Sequence, residues 1–118
     1  MKIVIPVDEN RETICVAFGR TPYFLVQDTE TDQKEYFENP AASAQGGAGI
    51  KAAQFVVDLA ADALITVRLG ENSAEVLKAA GMKIYKSGAV GVKENVEAMK
   101  KGILLELTAF HAGFHGKA

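Results

Sequence analysis

Two arginines in this sequence stand where their side chains could bind an anion. Arg20 closes the segment Phe18-Gly19-Arg20 between two apolar runs, and Arg68 directly follows the apolar run ALITV. A guanidinium group donates two parallel hydrogen bonds to an anionic group, a geometry that lysine does not offer. The alternatives are structural: Arg20 would pair with a loop carbonyl or with Asp8, and Arg68 would be a solvated loop residue.

Three glycine-containing segments, residues 46–49, 69–72 and 88–91, each precede a predicted helix. The first amide groups of a helix lack partners and carry partial positive charge, which favours anions, and glycine lets backbone approach a ligand closely. For any one segment, a tight turn alone is the alternative, and no P-loop pattern indicates a nucleotide. The predicted ligand-binding residues are Phe18, Gly19, Arg20, Asn39, Gly46, Gly47, Gly49, Arg68, Gly70 and Asn72.

Apolar periodicity predicts the elements that position these residues. Strands are predicted at residues 2–7, 23–28, 34–38, 63–67 and 82–85, with a short strand at 13–16. Helices are predicted at about 50–61, from Asn72 to the residue before Gly81, and at about 92–101. Asn72 followed by Glu75 resembles a capping box. Residues 103–110 are apolar and indicate either a further strand or an arm.

This order of elements predicts an α/β fold with one mixed sheet of five strands and about three helices. Right-handed crossovers give the strand order 3-2-1-4-5, with the second strand antiparallel. The strand order reverses between the first and fourth strands, and ligands of open α/β sheets bind at such a point. We therefore expect the arginines and the glycine segments to meet at that edge.

Size and composition favour a single domain, residues 1–102, with residues 103–118 as its C-terminal arm or tail. The chain has 118 residues, a net charge of −2 and one cysteine. This charge provides no general attraction for nucleic acid, and the first apolar run is too short for a membrane span or a signal peptide. One cysteine agrees with a reducing compartment. We expect a cytoplasmic protein with no nucleic-acid or membrane partner, present as a monomer or a weak homodimer.

Several segments together resemble the dinitrogenase iron–molybdenum cofactor biosynthesis family, which includes nitrogenase accessory proteins. In order, over about residues 1–101, they are MKIVIPVDE, AFGRTPYF, DTETDQKEYFENPA, GGAGIKAAQ and GENSAEVLKAAGMKIY. The resemblance implies a ribonuclease-H-like α/β motif. It also implies non-enzymatic binding or transient carriage of an iron–molybdenum cofactor, an iron–sulfur precursor or a related anionic metal cluster, with a cluster donor or acceptor protein as partner.

The sequence departs from this family at Ala17, where members commonly carry a histidine before Phe-Gly-Arg. The remaining candidate metal ligands are Cys15, His111 and His115. Cys15 lies in an apolar run, where an inert core cysteine is the commoner outcome. The two histidines are spaced for one face of a helix, but Gly113 between them favours a flexible tail. Since ordinary iron–sulfur clusters use about four thiolates, a cluster here would have few covalent ligands.

Two other functions remain open from the sequence. The chain would be a regulatory or protein-interaction module if it had kept the fold and lost the ligand, with Ala17 and the apolar arm as support. A metal-dependent nuclease of ribonuclease-H type would need clustered carboxylates, for which Asp8, Glu38 and Glu71 are the candidates. We expect no enzymatic activity.

Overall fold

Strand β1 (Lys2–Val7) is the centre of the sheet, and every residue after Lys2 in it is buried. The computed structural model describes residues 1–112 of the chain. A strand that is apolar on both faces suits a position with neighbours on both sides and helices on both faces. β1 pairs antiparallel with β2 (Tyr23–Asp28) and parallel with β4 (Ala63–Thr66).

The remaining strands complete one five-stranded sheet. β3 (Lys34–Glu38) pairs antiparallel with β2, and β5 (Lys83–Lys86) pairs parallel with β4. The spatial order is β3-β2-β1-β4-β5. The predicted order and the antiparallel second strand are therefore confirmed.

Helices cover both faces of the sheet. On one face, α1 (Ala48–Asp58) and α2 (Glu71–Ala79) pack over buried strand residues such as Val4 and Phe24. On the other face, α3 (Val92–Lys100) packs over residues that include Ile5 and Leu25. This alternation follows from the two-residue period of a strand, which sends successive side chains to opposite faces.

The helix boundaries differ from prediction where α1 and α2 begin. α1 begins two residues early, after Gly47 in the left-handed conformation (φ 67°). α2 begins at Glu71, with Gly70 as N-cap and no side-chain cap, so the predicted capping box at Asn72 is wrong. Gly81 follows α2 with φ 81°, as expected for a glycine that ends a helix.

The C-terminal arm (residues 103–112) runs along the free edge of β5. The Lys86 amide donates to the Leu105 carbonyl at 2.8 Å, and the Leu107 amide donates to the Ile84 carbonyl at 3.0 Å. Leu107 is buried in the core beneath α1 and α2. Arm residues thus extend the sheet, although they form only single bridges to it. No helix among residues 1–112 is long and apolar enough to cross a bilayer.

Candidate functional site

The edge pocket is a cavity of about 660 Å³ at the carboxyl ends of the parallel strands. Three segments surround it: residues 16–20 after β1, 45–50 at the start of α1, and 68–73, which run from just after β4 into the first turn of α2. It lies at the reversal of strand order between β1 and β4, as predicted for a ligand site in this topology. The volume is within the usual range for small-molecule sites. The lining residues are Val16, Ala17, Phe18, Gly19, Arg20, Gln45, Gly46, Gly47, Ala48, Gly49, Ile50, Arg68, Leu69, Gly70, Asn72, Ser73 and His111.

Two helices begin in the wall of the edge pocket. α1 follows Gly47 and α2 follows Gly70, and neither helix has a side-chain cap. In a helix of this kind, the first-turn amides depend on water or a ligand for hydrogen-bond partners. The Glu71 amide of α2 has one protein partner, the His111 carbonyl at 2.9 Å. Both helix starts thus contribute partial positive charge to one cavity.

The lining also contains two formal positive charges, those of Arg20 and Arg68. Among the described lining residues there is no aspartate or glutamate. Arg20 donates one hydrogen bond, from Nη1 to the Ala42 carbonyl at 3.0 Å, and its side chain remains exposed. One contact to a neutral carbonyl orients the guanidinium group without neutralising it. The described lining therefore carries formal positive charge and no carboxylate, although the chain has a net charge of −2 and Glu71 stands in the first turn of α2, between the lining residues Gly70 and Asn72.

Close backbone contact holds the walls together. A Cβ atom added to Gly19 would lie 2.9 Å from the Gly49 nitrogen, and one added to Gly49 would lie 2.7 Å from Ser73 Oγ. No side chain larger than hydrogen fits between these segments without a shift. The Phe18-Gly19-Arg20 segment, α1 and α2 are thus packed in a fixed arrangement, with Arg20 next to the contact.

Asn39 was predicted as a ligand-binding residue, but it lies behind the wall instead of in the lining. Its Nδ2 donates to the Gly19 carbonyl at 3.1 Å and to the Thr21 carbonyl at 3.0 Å. Its Oδ1 accepts from the Ala41 amide at 2.9 Å. The side chain is buried and both ends are used within the protein, so its contribution is to position the segment that carries Arg20.

The third glycine segment, residues 88–91, lies outside the edge pocket, contrary to prediction. The buried side chain of Asn95 accepts from the Gly88 amide at 2.9 Å and donates to the carbonyls of Ala89 and Gly91. The same segment bonds the chain after β1, through the Ile14 amide and the Val90 carbonyl at 2.9 Å. The hydrogen-bonding groups of this loop that take part in these bonds are therefore used within the protein and stabilise the fold. Residues 13–16, predicted as a short strand, form only single bridges there.

The structure separates the predicted metal ligands. Cys15 is half-buried outside the lining, and its amide donates to the Pro6 carbonyl at 2.9 Å, which keeps it beside β1. His111 does line the edge pocket, and its ring lies against Gly70. His115 lies outside the described residues. Within residues 1–112, no three His, Cys, Asp or Glu side chains form a group that could hold a metal ion.

The carboxylates of the nuclease hypothesis are likewise not assembled into such a group in the described part of the chain. Asp8 accepts a hydrogen bond from the Thr13 hydroxyl, which fixes the turn after β1. Glu38 is the last residue of β3, and Glu71 is the first residue of α2.

The predicted site residues did not include seven lining residues, of which Ala48 and Leu69 lie within the predicted glycine segments; the others are Val16, Ala17, Gln45, Ile50 and Ser73. Gln45 and Ser73 are the polar ones. Gln45 immediately precedes the Gly46-Gly47 pair, and Ser73 falls in the first turn of α2. Gln45 and Ser73 are each adjacent in sequence to a predicted glycine segment, and this proximity could have identified them as lining residues.

Comparison with known proteins gives a consistent result. The model of the family described as dinitrogenase iron-molybdenum cofactor matches residues 1–102. The apo form of the orange protein from Desulfovibrio gigas superimposes with a TM-score of 0.82 at 27% identity, over 90% of this chain and 92% of that chain. A NifB-like protein from Thermotoga gives a TM-score of 0.75 at 35% identity, over 96% and 98%. An uncharacterised protein of Methanocaldococcus jannaschii is 29% identical over 88% of this chain and 89% of its own length.

Proposed function

The chain belongs to the dinitrogenase iron-molybdenum cofactor family, and we propose that it binds an anionic metal–sulfur cluster in the edge pocket and transfers it without enzymatic chemistry. The cargo is an iron–molybdenum-type cofactor, an iron–sulfur precursor or a related cluster. One observation carries the proposal: two helix starts without side-chain caps and two arginines share a cavity whose described lining contains no carboxylate.

Electrostatics supports this choice of ligand. Backbone amides and guanidinium groups donate hydrogen bonds, and the sulfide and oxygen atoms at the surface of an anionic cluster accept them. Hydrogen bonds to charged groups contribute about 1.5–3 kcal/mol each. Several such bonds would hold an anion without any metal–protein bond. Because the packing of Gly19 against Gly49 already fixes this part of the pocket, ligand binding would require little free energy for reorganising it.

The supply of ligands favours transient carriage over permanent storage. A resident iron–sulfur cluster is normally held by about four cysteine thiolates. This chain has one cysteine, and it lies outside the pocket lining. Few covalent bonds would need to break when the cargo leaves. We therefore propose a cluster donor or acceptor protein as partner, and a reducing, cytoplasmic setting in agreement with the single free thiol.

Anaerobic reconstitution tests the proposal. The protein is incubated with iron and sulfide, or with isolated iron–molybdenum cofactor, then desalted and measured by metal analysis and absorption spectroscopy. We expect stoichiometric metal on the wild type and strongly reduced metal on the Arg20→Ala/Arg68→Ala double variant. Lys51→Ala, which removes an exposed positive charge of α1 outside the lining, is the matched control. A wild-type protein that retains no metal from either source would overturn the proposal.

A second candidate, a ligand-free regulatory module, has one observation in its favour. Ile103 and Leu105, two residues apart on the C-terminal arm, are 66% and 75% exposed. Burial of both side chains against a protein partner would be favourable. A stable protein partner, combined with no measurable metal affinity, would favour this function.

A further inference from the structure

We propose that Nε2 of His111 is a side-chain ligand to a metal of the bound cluster. The inference deepens the proposed function and rests on it. His111 belongs to the C-terminal arm, beyond the residues that the family model matches, and it lines the edge pocket. The arm therefore brings a metal-binding side chain to a cavity that is otherwise built to bind an anion by hydrogen bonds.

The hydrogen bond of the ring identifies which nitrogen is free. Nδ1 of His111 lies 3.2 Å from the Ala112 carbonyl oxygen. A carbonyl oxygen only accepts, so the proton of the neutral ring is on Nδ1 and Nε2 carries the lone pair. Histidines that ligate metals commonly donate the other ring N–H to a carbonyl in this way, which fixes both tautomer and orientation.

The backbone of the arm fixes where the ring lies. The His111 amide donates to the Leu69 carbonyl at 3.1 Å, and the His111 carbonyl accepts from the Glu71 amide at 2.9 Å. These two bonds hold the residue beside the start of α2. The ring covers Gly70 so closely that a Cβ atom there would lie 3.2 Å from Cε1. A side chain at Gly70 would push the ring away by a few tenths of an ångström.

The chemistry of the lining makes His111 the candidate for a metal–protein bond. Cys15 is outside the lining, and the described lining contains no aspartate or glutamate. Imidazole binds iron and other first-row metals, whereas the amides and guanidinium groups around it can only donate hydrogen bonds to the cluster's anionic atoms. One coordinate bond together with those donors fixes the orientation of the cargo. Undocking of the arm would remove that bond.

The test uses full-length protein labelled with ¹⁵N-histidine, reconstituted with iron and sulfide and reduced to a paramagnetic state. The chain has two histidines, so pulsed EPR can attribute a nitrogen coupling by substitution. We expect a ¹⁵N coupling in the wild type that disappears in His111→Ala, with a rise in Kd of at least about tenfold, the lower limit for loss of an outer-shell partner. His115→Ala, the control, should keep both properties.

A rescue variant separates coordination from a structural effect. Ala17 is exposed and lines the same cavity, so Ala17→His combined with His111→Ala can return an imidazole to the pocket. We expect recovery of the nitrogen coupling. The wild-type spectrum by itself decides whether a histidine nitrogen is bound to the cluster. If His111→Ala does not fold, His111→Gln serves to attribute that nitrogen to His111.

The outcomes distinguish the two proposals. A cluster that binds to the wild type without nitrogen coupling, or with a coupling that survives in His111→Ala, overturns this inference and leaves the proposed function standing. A coupling lost in His115→Ala but kept in His111→Ala overturns it as well. A wild type that binds no cluster overturns both.

Discussion

Gly19 and Gly49 are in direct backbone contact across the wall of the edge pocket. A Cβ atom on Gly19 would lie 2.9 Å from the Gly49 nitrogen and 3.0 Å from its Cα atom. Because the obstacle is backbone, no side-chain rotation can relieve the overlap. The position of Arg20, the next residue, depends on this contact.

Gly19→Ala is expected to destabilise the protein by about 1–3 kcal/mol, the usual cost of overpacking, and to weaken cluster binding. Gly46→Ala is the control, because an added Cβ there meets nothing within 4 Å, and its unfolding free energy should change by no more than about 0.5 kcal/mol. Urea denaturation measures both. Equal stability of the two variants would contradict the contact described here.

Arg20 tests the role of the guanidinium group. Arg20→Lys keeps the charge and loses the planar pair of donors, whereas Arg20→Ala loses both. We expect Arg20→Ala to raise the Kd of the cluster about tenfold to a hundredfold, as for the loss of a charged hydrogen bond, with Arg20→Lys in between. Since Arg20 is exposed, unfolding free energy should change little. Titration of apo-protein with cluster measures affinity. A Kd for Arg20→Lys equal to that of wild type would show that only the charge of the side chain matters.

Asn39→Ala tests the support behind the pocket. The change leaves the Gly19 and Thr21 carbonyls and the Ala41 amide without their side-chain partner. Buried groups left unsatisfied cost about 1–3 kcal/mol. Asn72→Ala, at an exposed lining position, should have a much smaller effect on thermal unfolding. The reverse order would show that Asn39 is not the residue that holds this segment.

The ion pair of Asp32 and Lys100 predicts a pH dependence of stability. Nζ of Lys100 lies 2.7 Å from Asp32 Oδ1, and this hydrogen bond holds the pKa of Asp32 below its ordinary value. A lowered folded-state pKa contributes stability above the ordinary aspartate pKa, and the contribution is lost as pH falls through the folded value. The same bond raises the pKa of Lys100, so the pair stays complete until strongly alkaline pH.

Asp32→Asn should therefore be less stable than wild type at neutral pH. The difference should shrink as pH falls below the ordinary aspartate pKa of about 3.9 and vanish only below the lowered folded-state value. Asparagine tolerates the left-handed backbone of this position (φ 61°), so the variant changes charge without adding strain. Asp58→Asn, at an exposed position of α1, is the control. Denaturation curves across pH measure the effect, which added salt should reduce because both groups are accessible to solvent. A constant difference at all pH values would rule out the ion pair as its cause.

Strand order was predictable because it depends on features visible locally. β1 is apolar on both faces, which places it centrally, and β2 and β3 are separated by the polar turn TETDQ, which predicts a hairpin. Crossover handedness then determines where β4 and β5 lie. Predicting the edge pocket required only this topology and the positions of the glycine segments.

The start of α2 was mispredicted because a tertiary contact outweighs a local one. Asn72 and Glu75 have the spacing of a capping box, but the Glu71 amide pairs with the carbonyl of His111, forty residues away, and the helix begins earlier. The sequence of residues 69–72 gives no indication that the Glu71 amide will pair with the His111 carbonyl. Likewise, Asn95 binds the third glycine segment from within α3, and sequence alone did not separate this segment from the two that form the pocket.

The arm's course beside β5 has a consequence for self-association. Its bonds to Ile84 and Lys86 occupy backbone groups that an outside strand would need. The β5 edge of the sheet is therefore protected from edge-to-edge pairing with a strand of another molecule. The opposite border is β3, whose sequence KEYFE places exposed charges at both ends, a pattern that discourages intruding strands. Detachment of the arm would leave the edge of β5 unpaired, and aggregation should then begin at β5.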